Sequence, residues 1–302
     1  MNLKKDYPLG IAFALVNTVF LGFVGLVDKI GSLKTNSPLI FSSQSLFFSL
    51  LFTLVFVLCY FRGSLVNKVK AITWPSWRLI ILIGLLSSGL SVLFRFLGLI
   101  QSTGTFATLS QVITTLFTAI FAHFFLKEKL SKQFWALFVV IIVATYFVSI
   151  GKLSLASVKT GDLLILIGAV ILASGNVFSR LAVHQVSPIL LAQGRFIVGV
   201  VFLTTIAMVF LGQKVDFFHP NIYSVLSGCS WSIMVISFNF AIKKIGVTFT
   251  TSLLMTAPVI TMVLEYLVLH HVFTFVQIIA AFVVISTGIL IVRQNNRKRV
   301  TA

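Results

Sequence analysis

The chain is predicted to be an all-α membrane protein of ten transmembrane helices, built as two inverted five-helix repeats. Three observations predict it. Hydrophobic residues are 58% of the 302 and charged residues only 10%, where a soluble domain is about 25% charged. The apolar residues gather into ten runs of about twenty, the helix length that spans ~30 Å of hydrocarbon. The last five runs repeat the landmarks of the first five.

The runs are 9–30, 39–61, 78–100, 104–126 and 132–150, then 161–183, 189–211, 220–242, 247–269 and 273–292. The first follows Lys4 and Lys5 as the core of a secretory signal does. It is too long for one and lacks a small-residue cleavage site, so it reads as a retained helix. The second opens at Pro38 and is followed by the longest connection, the short basic stretch from Arg62 to Trp77. The third and fourth carry polar stripes, Ser88–Ser91–Arg95 and Thr108–Gln111–Thr115–Thr118. The fifth and tenth carry few polar residues and are expected to pack outside. The seventh opens at Pro188 as the second does at Pro38, and the ninth carries Pro258. The tenth runs into a basic tail, Arg293 to Arg299, which reads as a stop-transfer anchor. The domains are therefore 1–150 and 151–302.

Five crossings per repeat is odd, so the second repeat enters the membrane in the opposite sense. The net charge of +17 would suit nucleic acid if it were clustered; its placement argues against that partner. With both termini cytoplasmic, the outer connections hold five basic residues: Lys29, Lys34, Lys152, Lys159 and Lys214. Arg95, Arg180 and Arg195 lie within spans, and the remaining fifteen of the 23 Lys and Arg lie inside. That is the positive-inside bias of a multi-pass protein of the cytoplasmic membrane, with membrane lipid as the partner of the basic surface. Trp74, Trp77 and Trp135 fit an inner aromatic belt. Cys59 and Cys229 sit far apart in apolar runs and suggest packing, not a disulfide or a metal site.

The repeats align residue by residue. Ser45 and Arg195 each lie seven residues after the helix-opening proline. FAHFFLKEKLS at 121–131 aligns with LEYLVLHHVFT at 264–274, which sets Glu128 against His271. GNVFSRLAVHQVSPILLAQGRF at 175–196, LKEKLS at 126–131, and Pro258 followed by Gln277 and Gly288 resemble motifs of the EamA-like branch of the drug/metabolite transporter superfamily. The resemblance covers nearly the whole chain. Half one departs from it, with Ser45 and Thr115 where half two has Arg195 and Pro258; half two has His271 in place of glutamate. The resemblance implies export or exchange of a small metabolite such as an amino acid, a nucleotide derivative or a drug.

Charged groups within a span cost at least ~2.5 kcal/mol at its centre and need a reason. Arg195 reads either as a substrate-binding or gating group, or as a structural arginine snorkelling to lipid phosphate. Asn176 lies one turn before Arg180, which reads as snorkelling. Arg95 and Glu265 fall at the same depth and are expected to pair. Glu265, the acidic residue deepest in a span, is the candidate for proton coupling. Asp28 ends the face Asn17–Leu21–Val24–Asp28 beside Lys29 and is expected at the solvated rim. The candidate site residues are thus Arg195, Asn176, Gln111, Thr115, Asn17 and Arg95, with Glu265 as the coupling residue.

No phosphate-binding loop and no convergent catalytic or metal motif occurs in the sequence. A secondary transporter is therefore expected, with no cofactor, a small-molecule substrate and protons as the coupling ion to consider. A lipid-head-group or polyprenyl-carrier flippase is the alternative, and a membrane-embedded enzyme a remote one. A closed aqueous cavity between the halves would favour a metabolite; a lateral opening to lipid would favour a flippase.

Overall fold

The structure, a computed structural model, describes residues 3–35, 37–126, 132–150 and 159–300. The KEK cluster at 127–129 and Lys152 lie outside them, as do the side chains of 291–300, which include the basic tail. The described residues form helices α1 (Leu3–Lys34), α2 (Pro38–Phe61), α3 (Leu65–Lys70), α4 (Trp74–Ile83), α5 (Ser91–Leu99), α6 (Gly104–Leu126) and α7 (Lys132–Ile150) in the first half. The second half holds α8 (Thr160–Ala182), α9 (Pro188–Thr205), α10 (Ile222–Ile245), α11 (Val247–Leu253), α12 (Ala257–Leu269) and α13 (Phe275–Val300).

Local sequence sets the helix ends. Ser37 caps α2, its side chain accepting from the Leu39 N–H, and Pro38 sits where a missing N–H costs nothing. Asn221 caps α10 by accepting from Tyr223 at 3.0 Å, and Gly246, with φ 84°, ends it. α4 and α5 are one continuous helix through a π-helical segment, Gly84–Leu90. The predicted ninth run does not form a single helix. It is broken into α11 and α12 by a 3₁₀ turn at Leu254–Thr256. Pro258 explains the break, since it has no N–H to offer the carbonyl four residues earlier.

Seven described helices are long and apolar enough to cross a membrane: Tyr7–Lys34, Pro38–Lys70, Trp74–Leu99, Gly104–Phe125, Thr160–Ala182, Pro188–Phe210 and Ile222–Ile245. Ala257–Leu269 and Phe275–Thr287 are shorter apolar helices. The packing follows the repeat. α1 packs on α10, as α5 packs on α8; α6 packs on α8, as α12 packs on α1. α2 packs on its counterpart α9, and α7 on its counterpart α13. Exchanging the halves therefore returns each of these contacts. α7 and α13 lie at the periphery, with Val139, Val143, Phe275 and Phe282 exposed, as the few polar residues of the fifth and tenth runs led one to expect.

The tightest seam between the halves needs glycine. A Cβ on Gly161 would stand 2.5 Å from the Gly98 carbonyl, and a Cβ on Gly98 would meet the Gly161 carbonyl. Small residues let helices approach to backbone contact inside a membrane. Gly161→Val is expected to lose on the order of 1–3 kcal/mol, the usual cost of overpacking. Thermal unfolding of the purified protein measures it, and an unchanged midpoint would show that the α5–α8 seam has slack.

Candidate functional site

A cavity lies between the two halves. Its wall is built by Asn17 and Leu21 of α1, Ser91, Val92 and Arg95 of α5, and Ser110, Gln111 and Thr114 of α6. The second half adds Gly168, Leu172 and Asn176 of α8, Arg195 of α9, Trp231, Met234 and Phe238 of α10, and Leu254 at the break before α12. The lining draws on six helices and the break before α12, with α9 contributing through Arg195. Two close approaches explain how polar side chains from six helices reach one point. The backbone break before Pro258 brings Leu254 inward, and Gly25 lets the start of α6 sit against α1.

Five of the seven candidate residues meet here: Asn17, Gln111, Asn176, Arg95 and Arg195. Thr115 does not. Its hydroxyl donates to the carbonyls of Gln111 at 2.9 Å and Thr251 at 3.1 Å, which ties α6 to α11. Thr118 is likewise buried, donating to the Thr114 carbonyl. The polar stripe of α6 therefore splits. Its Gln111 face looks into the cavity, and its threonines hold the helix to its neighbour. Cysteines at Gln111 and Asn176 are expected to react with a small water-borne thiol reagent, and cysteines at Thr118 and Ile141 are not. Equal reaction at all four would reject this division.

Arg195 is 3% exposed, so it is enclosed by protein and does not snorkel to lipid. Its Nε donates to the Ser88 hydroxyl of the π-helical segment at 2.9 Å. Among the described residues its two terminal nitrogens make no hydrogen bond, and no carboxylate pairs with it. The side-chain amides of Gln111 and Asn176, in the cavity wall, likewise make no hydrogen bond among the described residues. Asn17 donates to the Met234 carbonyl at 2.6 Å, while its Oδ1 is buried without a partner, as is the Nε of Arg95. Buried polar groups ordinarily have partners. Several unpartnered ones around one cavity are the mark of a site made for a polar ligand.

Arg95 and Glu265 do not pair with one another. Arg95 reaches Asp28 instead, Nη2 to Oδ2 at 3.3 Å, and donates to the Ala107 carbonyl at 3.1 Å. Asp28 is not at a solvated rim but fully enclosed, accepting also from Ser227 at 2.6 Å and from the Trp231 indole at 3.3 Å. Glu265 caps α6. Its Oε1 accepts from the Gly104 N–H at 2.7 Å, and its Oε2 accepts from the Thr105 N–H at 3.1 Å and from the Thr105 hydroxyl. The positive end of a helix dipole thus takes the place that Arg95 was expected to fill. Depth along a helix brought the two residues to the same level; the direction each side chain faces separated them.

The sequence reading missed Ser227 and Trp231. The available signal was the stripe Ser224, Ser227, Trp231 at helical spacing on α10, which faces the Asn17–Asp28 stripe of α1.

Asp28, Lys29, Ser102 and Glu265 fasten one end of the bundle. Lys29 Nζ donates to the carbonyls of Leu99 at 2.8 Å and Ser102 at 2.5 Å, the last carbonyls of α5 and its exit. Ser102 donates to Asp162 of α8. At the other end the described ties are fewer, among them Ser76 to Gln185 and Asn239 to the Pro188 carbonyl.

The comparisons with known proteins agree with this architecture. The profile of the EamA-like transporter family matches residues 8–150 and again residues 159–293, one match per half. A curated Bacillus subtilis (strain 168) protein described as "Uncharacterized transporter YyaM" is 27% identical over 229 residues, 71% of this chain and 74% of its own. A solved structure titled "Crystal structure of protein" superposes with a TM-score of 0.68 over 97% of this chain and 99% of its own; at 17% identity it shows the fold alone. The chain belongs to the EamA-like transporter family of the drug/metabolite superfamily, and it is a transporter, not an enzyme.

Proposed function

We propose that the protein is a secondary transporter that moves a small metabolite bearing a carboxylate or similar anionic group across the cytoplasmic membrane by alternating access, in export or exchange. The carrying observation is Arg195: a buried guanidinium in the cavity wall whose two terminal nitrogens make no hydrogen bond among the described residues. A planar fork of donors matches a carboxylate in two parallel bonds. The Arg95 charge is met by Asp28, so Arg195 leaves the cavity with one uncompensated positive charge. That charge favours an anion and repels a cation. Asn176, Gln111 and Asn17 supply further polar contacts, and Leu21, Leu172, Met234 and Phe238 receive an apolar body. Amino acids, nucleotide derivatives and drug-like acids all fit this description.

The reading places ten crossings in the membrane, with both termini cytoplasmic and the second repeat inverted. The charge bias of the connections supports it. Reporter fusions at Lys132 and Lys214 are expected on opposite sides of the membrane; the same side for both would remove the inverted repeat.

The polar lining supplied by both halves, with Arg195, Asn176 and Gln111 in it, favours a polar metabolite over a lipid carrier. The test is transport from sealed vesicles loaded with a mixture of small carboxylic acids and their uncharged amides. The protein is expected to release acids and retain their amides. Equal release of both would reject Arg195 as the selective group.

A further inference from the structure

We propose that Asp28, not Glu265, is the proton-exchanging carboxyl of this transporter, and that Arg95 and Trp231 relay the arrival of an anion in the cavity to it. The proposal rests on the anion reading given above.

The geometry is that of a group standing one layer behind the cavity wall. Asp28 itself is 0% exposed and is absent from the lining. The two lining side chains nearest it, Arg95 and Trp231, are both its hydrogen-bond donors. Arg95 also lies over the Trp231 ring, 5.8 Å from its centroid. Anything that moves either side chain from within the cavity changes the bonds that hold Asp28.

The ion pair is loose. Its 3.3 Å separation exceeds the ~2.7–2.9 Å of a charge-assisted N–H···O bond. Arg95 keeps a buried Nε without a partner, so its guanidinium has donor capacity to offer a ligand. A ligand carboxylate that takes a share of Arg95 leaves the Asp28 carboxylate in a protein interior with less counter-charge. Such a group is stabilised by taking a proton. The proton comes from water on the side to which the cavity opens, and it leaves when the anion leaves and Arg95 returns. Anion and proton then occupy the carrier together, and linkage makes each favour the other.

Glu265 is less suited to this role. Its two oxygens are engaged by two backbone N–H groups and a hydroxyl at the start of α6, and it does not line the cavity. The titratable groups toward this end of the elements packed around Asp28 are Lys29 and Lys34 on α1, Arg95 on α5, Tyr223 and Cys229 on α10, and Glu265 and Tyr266 on α12, with Cys59 and Tyr60 at the far end of α2. His123, Lys243 and Lys244 lie toward the far ends of α6 and α10. Of all these, Arg95 alone bonds the Asp28 carboxylate.

Trp231 provides the readout, because its indole N–H donates directly to Asp28. With Trp74, Trp77 and Trp135 replaced by Phe, the fluorescence of the full-length protein in lipid nanodiscs reports Trp231 alone. A one-proton fluorescence step against pH is expected. Asp28→Asn is expected to abolish it, and Glu265→Gln to leave it in place. Should Asp28→Asn misfold by stranding the Arg95 charge, Asp28→Asn with Arg95→Gln removes both charges together and must also lack the step.

Gln111→Glu then builds a carboxylate into the cavity, one turn along α6 from the Ala107 carbonyl that Arg95 contacts. It is expected to move the Asp28-dependent step to higher pH. No step, a step that survives both Asp28 variants, or a step unmoved by Gln111→Glu would each overturn the proposal. None of these results depends on Arg195. Failure here leaves the anion site standing, and failure of the acid-versus-amide transport test leaves the titration standing.

Discussion

Arg195→Gln is expected to abolish transport of the anionic substrate and, at the same time, to make the protein harder to unfold. The two effects have one cause. A guanidinium enclosed by protein with a single neutral partner, Ser88, is unfavourable in the absence of ligand. Burying such a charge costs at least ~2.5 kcal/mol at mid-membrane on insertion scales. Glutamine keeps some of the length and the hydrogen-bonding capacity toward Ser88 without that charge, so the empty protein gains stability. The bound state loses in return. Removing one side of a buried, hydrogen-bonded charge pair costs about 2–5 kcal/mol, or roughly thirty- to several-thousand-fold in affinity.

Arg195→Lys separates the elements of that loss. It keeps the charge and gives up the fork, so it should retain discrimination of acid from amide with weakened binding. Thermal unfolding and vesicle transport, measured on the same preparations, check both halves of the expectation. A variant that loses stability and keeps transport would make Arg195 a structural residue. Sites that must receive a charged ligand are held below their stability optimum, and this is where that cost is expected to be visible.

The architecture was legible because a bilayer leaves few choices. Runs of twenty apolar residues with every backbone group bonded within the run must be helices. The internal repeat dictated that the halves should pack as counterparts, as α7 and α13 do. The position of each charged residue along its run was equally readable. Partner choice was not, because it depends on rotation about the helix axis and on which helix stands opposite. Arg95, Asp28 and Glu265 illustrate this. Arg95 and Glu265 were read at one level and Asp28 at the solvated rim, and pairing by level alone joined Arg95 to Glu265. The fold instead turns Arg95 toward α1 and α10 and gives Glu265 to the start of α6.

The α6 stripe shows the same limit. Thr108, Gln111, Thr115 and Thr118 are spaced to share a face, yet that face is wide enough to border the cavity at Gln111 and α11 at Thr115. A threonine can always bond its own helix one turn back, so a row of threonines in a sequence does not distinguish a water-facing wall from a packed seam. The break before α12 was half legible. Pro258 was visible, and its effect on the helix followed from its missing N–H, but only the fold shows that Leu254 is brought to the cavity by it.

Glu265→Ala is expected to lose more stability than the glycine-seam change Gly161→Val. Three donors lose their acceptor at once: the N–H groups of Gly104 and Thr105 and the Thr105 hydroxyl. All lie in a region closed to water, where Glu265 is 1% exposed and a Cβ on Gly104 would meet both the Gly25 carbonyl and the Glu265 carboxylate, the latter at 2.9 Å. An orphaned buried donor costs about 1–3 kcal/mol. Water entering the vacated space relieves part of this, so a total of about 2–6 kcal/mol is expected.

The change also unfastens the halves at one end of the bundle, because Glu265 belongs to α12 and its donors to α6. Half one has Ala122 at the aligned position, so this cap has no counterpart at the opposite end. Loss of the cap should therefore open the cavity on one side only. A cysteine at Gln111 in the Glu265→Ala background is expected to react faster with an impermeant reagent applied from the side where Lys29 and Glu265 lie, and no faster from the other. Glu265→Gln should fall between the two, since its amide oxygen serves one N–H while its NH₂ opposes the next. Wild-type stability and unchanged labelling in Glu265→Ala would show that other contacts hold that end closed, with Lys29 on the α5 carbonyls as the first to test.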